Sequence, residues 1–173
     1  MQRIRFCFKI YLLTALAGIF FIEGKSQQTG LSISSGSPAL KVMVRQELQL
    51  GTFTQGSSGG SIVISPDGFR TGNGTVVPLN FGAAYAPLIL EIEGPKGSIV
   101  SMLANETTVL TGSNGGVMRL KITESSPPLP FVIREDPPAK HIIKIGAELK
   151  VGNSIESPPG NYSGSLNISF IME

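Results

Sequence analysis

His141 is the only histidine in the chain, and no second metal-binding side chain stands at a useful distance from it. A zinc site needs three or four ligands, usually with two of them a few residues apart. No H-x-x-H or H-x-x-x-H spacing exists here. A serine triad would need His141 as the base beside an activated serine; Ser58, between Gly56 and Gly60, has the G-x-S-x-G spacing of a nucleophile elbow but opens no helix, as an elbow must. The acidic pairs are Glu91/Glu93 and Glu135/Asp136. Two carboxylates can run glycoside hydrolysis. Glu91 and Glu93, however, alternate with Leu90 and Ile92, the pattern of a strand's solvated face. Asp67 and Asp136 are the only aspartates, so no calcium loop can be written. The glycine runs at 56–60 and 112–116 lack a following Lys-Ser/Thr and open no helix, so they read as turns and not as phosphate cradles. Asn73, Asn105, Asn161 and Asn167 begin N-x-S/T triplets, which a chain this rich in Asn, Ser and Thr produces by chance. There is no Trp to build a stacking platform. These readings predict no catalytic residue, no metal site and no cofactor.

The amino terminus carries a clearer signal. Arg3, Arg5 and Lys9 precede an apolar run from Ile10 to Ile22, and Gly24, Lys25 and Ser26 follow. A basic region, a short apolar region and a small-residue exit describe a secretory signal peptide. The run is shorter than the roughly 20 residues a membrane-spanning helix needs. Residues 1–26 are expected to leave by cleavage after Ser26, with no membrane span in what remains. The leader takes Arg3, Arg5, Lys9 and Lys25 from 14 basic residues, and Glu23 from 12 acidic ones, leaving a net charge of −1. No Lys/Arg cluster survives, which argues against nucleic acid as a partner. Cys7, the single cysteine, also departs. The exported part is then held by its core alone, without disulfides. Its expected address is the periplasm or cell surface.

The remaining residues are enough for one domain. Residues 27–38 are small and polar and read as a flexible lead-in, with 39–173 as the folded body. Leu40, Val42, Val44, Leu48 and Leu50 occupy even positions with Arg45, Glu47 and Gln49 between them. The same period of two recurs at Leu88–Ile92, Met118–Ile122 and Ile143–Val151. It recurs again at Leu166, Ile168, Phe170 and Met172, with Asn167 and Ser169 facing outward. Period two is a strand with one face in and one face out. Shorter candidates lie at 61–65, 75–81 and 98–103. Breaks at 66–68, 72–74, 94–97 and 157–160 carry turn chemistry. The stretch 125–138 holds five prolines and cannot be a central strand. It reads as a connection crossing between sheets, with Phe131–Ile133 dipping into the core or lying along an edge. Short strands at this spacing predict an all-β sandwich of about seven to nine strands.

Two blocks, 48–79 and 149–170, resemble a bacterial family of secreted domains of unknown function. That family is similar to spore coat protein U and to the pilin subunits of chaperone–usher fibres. The matching residues are Gly51 and Phe53, Gly68 and Arg70, and Gly160, Tyr162 and Gly164. The resemblance implies an immunoglobulin-like, pilin-like sandwich and carries over no catalytic residue. It also implies that a strand from a neighbour could complete the fold by β-augmentation. The chain departs from pilins in having no cysteine in its exported part, and Met172 where they commonly place an aromatic. Its lead-in offers only Leu31 and Ile33 as apolar positions for such a strand.

The expected function is therefore non-enzymatic: an exported envelope or surface protein, a fibre or coat subunit or an adhesion-related module. Its partners would be itself or other envelope subunits, joined through Leu31 and Ile33 or through the edge carrying Leu166, Ile168, Phe170 and Met172. The other reading is a monomeric extracellular module that binds a small ligand or glycan.

Overall fold

The computed structural model describes residues 3–4, 39–104 and 107–173. The leader beyond Arg3–Ile4, and the lead-in with Leu31 and Ile33, lie outside the described residues. No helix occurs among those described, so none is long and apolar enough to cross a membrane. The strands are β1 (Arg3–Ile4), β2 (Lys41–Gln46), β3 (Gln49–Leu50), β4 (Thr52–Ile64), β5 (Arg70–Leu79), β6 (Tyr85–Ala86) and β7 (Leu88–Glu93). They continue as β8 (Ile99–Ala104), β9 (Thr108–Gly112), β10 (Val117–Ser126), β11 (Phe131–Val132), β12 (His141–Val151), β13 (Asn161–Ser163) and β14 (Ile168–Met172). The long strands number nine, at the top of the expected range; the others are pairs or triplets of residues.

β12 is the spine. Its odd positions, Ile143 to Val151, are buried, as the alternation predicts. One edge of β12 pairs antiparallel with β10. Its other edge is shared: residues 141–145 pair with β7, and residues 147–151 pair with β4. Gly146 sits at this fork, where an added Cβ would lie 2.6 Å from the Ile64 carbonyl oxygen. A side chain there would force the two neighbours apart. β9 and β13 extend the sheet beyond β10, and β1 adds a parallel pair to β13. β5 closes the far side next to β4, and β2 the side next to β7.

A second sheet has three strands in the order β11-β8-β14. Its apolar residues join those of the larger sheet in one continuous core, including Val100, Ile133, Leu90, Ile92, Ile143 and Ile145. This is an all-β sandwich. The proline-rich crossover does both things expected of it. Phe131–Val132 pairs along the outer edge of β8, and Ile133 is fully buried.

Two expectations change. The glycines at 56–60 and 72–74 are not turns. They lie within the long β4–β5 hairpin, where the register shifts between Gln55 and Gly60. Gly59 and Gly74 take φ values of +70°, which other residues rarely adopt, so glycine makes the bulge and leaves the ladder continuous on both sides. The true turn is Pro66–Asp67–Gly68, where Gly68 N–H donates to the Ser65 carbonyl at 2.9 Å. Secondly, Glu91 is not solvated. It is 5% exposed, while Glu93 beside it is half-buried.

Candidate functional site

The residues singled out in the sequence fall into two structural staples and one open groove. In the first staple, Arg70 leaves the start of β5 and gathers carbonyl groups. Its Nη1 donates to the carbonyls of Leu50 (3.2 Å) and Thr52 (3.3 Å), and its Nη2 donates to that of Leu79 (2.7 Å). The guanidinium also stacks over Tyr85, 4.1 Å from the ring centroid. Burial lowers its pKa from the ordinary value, opposed by the Tyr85 hydroxyl. Gly51 has φ +73° and passes against this guanidinium, so a Cβ there would collide with Nη1. Phe53 is fully buried in the core. Arg70 and Gly51 therefore bind the β3–β6 pair to the β4–β5 hairpin, and Gly68 makes the turn that leads into β5.

The second staple is Tyr162 on β13. It is completely buried, and its hydroxyl donates to the Pro158 carbonyl at 2.6 Å. Burial raises its pKa above the ordinary value. Gly164 passes so close to β9 that a Cβ would lie 2.7 Å from the Val109 carbonyl. At Gly160 the same atom would lie 2.9 Å from Ser113 Oγ. Both glycines serve close approach of the last segment to β9. Beside them Ser157 is fully buried; its hydroxyl donates to the Val117 carbonyl at 2.8 Å and accepts from Gly152 N–H at 3.1 Å.

The groove lies between the two sheets where β2 and β14 face each other. It has a volume of about 360 Å³. One wall is Leu40, Val42 and Val44 on and before β2, backed by Leu48, Leu88 and Leu90. The other wall is Leu166, Ile168 and Phe170. Among the described residues, β2 pairs only with β7, and β14 only with β8. Each therefore leaves one edge of N–H and C=O groups without a strand partner, and these edges flank the groove. Its only ionisable lining residue is Glu47.

This openness explains a difference in depth. The even face of β14 points inward and its odd face outward, as expected. Yet Leu166, Ile168, Phe170 and Met172 are half-buried and not closed in the core. Val42 and Val44 are 38% and 50% exposed although they lie on the apolar face. Met172 is not among the residues lining the groove; it packs near Gly94 instead. The wall formed by Leu40, Val42 and Val44 was missed as a site. Its signal was the same alternation that identified it as a strand.

Glu91 anchors β2 from the opposite face of β7. Arg45 donates to Glu91 Oε2 through Nε at 2.6 Å, with its Nη2 on the same oxygen, and Lys140 Nζ holds Oε1 at 2.7 Å. The hydrogen bond from Lys140 and the charge and hydrogen bond of Arg45 hold its carboxyl below the ordinary carboxylate value, against the opposing effect of burial. Arg45 sits at the register shift between Val44 and Gln46, two residues from Met43, the strand partner of Glu91. Elsewhere, no group of three or more His, Cys, Asp or Glu residues able to hold a metal exists among the described residues. His141 opens β12, opposite Ile92, and its ring centroid is 6.0 Å from that of Phe131.

No curated protein and no solved structure matches the chain. The family described as a domain of unknown function, DUF4402, matches residues 40–171, nearly the whole of the folded body from β2 to β14. The chain belongs to the DUF4402 family.

Proposed function

We propose that the chain is an exported, non-enzymatic subunit of an envelope or cell-surface assembly, joined to its neighbours by a strand laid into the groove between β2 and β14. The observation that carries this reading is the pairing of two unpartnered strand edges with an apolar floor. An added strand would gain main-chain hydrogen bonds from an edge and place alternate side chains on the floor. Each aliphatic side chain fully taken from water there contributes about 1.5–3 kcal/mol. The basic–apolar–small layout of residues 1–26 supports export. The resemblance of the glycine, arginine and tyrosine motifs to spore coat protein U and to pilin subunits points the same way.

The occupant we favour is the lead-in, residues 27–38, of a neighbouring copy. Leu31 and Ile33 are two apart, so an extended strand turns both to one face. The folded body starts on the groove's own wall, at Leu40. To fill its own groove the lead-in would have to reverse at once, through Gly36–Ser37–Pro38; to reach a neighbour it continues outward. Deleting residues 27–37 from the exported chain should reduce the assembly to monomers in light scattering, while His141→Ala should leave its size unchanged. Unchanged size after the deletion would contradict the reading and favour a monomeric binding module.

A further inference from the structure

A second cavity lies where the crossover leaves the larger sheet, and strand pairing makes no use of it. The cleft measures about 570 Å³, within the ~300–1,000 Å³ range of small-molecule sites. Pro127, Pro128 and Phe131 on the crossover give it flat apolar walls. Its other lining residues include Arg134, Lys140 and His141, and no acidic residue. Its charged lining residues are Arg134 and Lys140. Lys140 is already committed to Glu91. Arg134 is exposed and makes no ion pair among the described residues. Among the lining residues, His141 carries a buried polar atom, Nε2, with no hydrogen-bond partner among the described residues. Such an atom costs stability until a partner reaches it.

We propose that this cleft binds a ring-bodied carboxylate, with the ring against Phe131 and the prolines and the carboxylate on Arg134. Arginine's planar fork matches a carboxylate with two parallel N–H···O bonds. A ring face, aromatic or the C–H face of a sugar, suits the Phe131 and proline surfaces, which offer area without hydrogen bonds. A second oxygen on the ligand would give His141 Nε2 its missing partner after a small side-chain adjustment. Two sources share this chemistry, an aromatic acid and a uronic acid of a glycan.

His141 reports on the site without labelling chemistry, because it is the only histidine. Its ring resonances would be followed by NMR in the exported chain during titration with benzoate, with glucuronate, and with acetate at equal ionic strength. Saturable movement is expected with benzoate, glucuronate or both, and the acid that acts identifies the source. Arg134→Gln should weaken that binding at least tenfold. Because Arg134 is exposed, this variant should keep the parent's melting temperature, which separates lost binding from lost folding. Equal affinity in Arg134→Gln would overturn the proposal. So would movement with acetate as large as with either ring acid, or no saturable movement with any of them. None of these outcomes depends on whether the β2–β14 groove takes a strand.

Discussion

The centre of the larger sheet and the margin formed by β2 and β14 share one sequence pattern and reach different states. Along β12, the odd positions from Ile143 to Val151 alternate with polar or small residues, and all are buried. Along β2, Val42 and Val44 alternate with Met43 and Arg45, and all four are exposed. β12 has strands on both edges, and β2 has one. Alternation specifies which face a side chain takes, while the neighbouring strand decides whether that face leaves water. The margin has the composition of a core and the exposure of a surface. That mismatch carries the functional proposal.

Matched truncations on the two sides give the largest expected contrast. Phe53→Ala, in the closed region, should cost about 3–5 kcal/mol, the usual range for a buried Phe. Such a loss would unfold much of the protein, given that domains have only about 5–15 kcal/mol in total. Phe170→Ala, on the groove wall, should cost roughly 1–2 kcal/mol, because only part of its side chain has left water. It should instead weaken self-association. Urea unfolding and light scattering on both variants check this. Equal unfolding losses would place Phe170 in the core and remove the contrast.

Acid should separate the two regions as well. The folded-state pKa of Glu91 lies below its ordinary 4.5. The stability it contributes is therefore complete above the unfolded value and is lost as pH falls through the lowered folded value. Below about pH 4.5 the attachment of β2 through Arg45 should loosen before the β4–β12–β10 centre does. Hydrogen exchange near pH 3.5 should show faster exchange in residues 41–46 than in 147–151, relative to neutral pH. Glu91→Gln should produce the same ranking without acid. Uniform acceleration across both segments would contradict it. The smallest effect belongs to Ser169→Ala. Its side chain faces outward from β14, so the melting midpoint should move by no more than about 0.5 kcal/mol allows.

Much of this fold was legible because period two is a local property. Met118, Leu120 and the odd face of β12 turn inward where the alternation places them. Phe131–Ile133 could be recognised from the prolines around it. Glycine runs were misleading because the same residue serves turns and bulges; Gly59 and Gly74 bend a ladder that continues past them. β9 was passed over because Thr108–Gly112 is short and only Thr108 and Leu110 turn inward. Glu91 looked like a solvated charge because its partners, Arg45 and Lys140, are remote in sequence. The groove was half legible: both walls could be assigned a face, but their exposure depends on long-range pairing that no local pattern carries.

A neighbour's lead-in in the groove would lie beside Phe170. Residues 27–173 contain no cysteine, so introduced ones report cleanly. Exported chains carrying Ile33→Cys and Phe170→Cys singly would be mixed under mild oxidation and analysed by intact mass. A second mixture would pair Ile33→Cys with Ser169→Cys, whose new side chain faces outward. Rapid formation of the mixed disulfide dimer is expected with Phe170→Cys and little with Ser169→Cys. Equal yields in the two mixtures, or monomers alone, would contradict it.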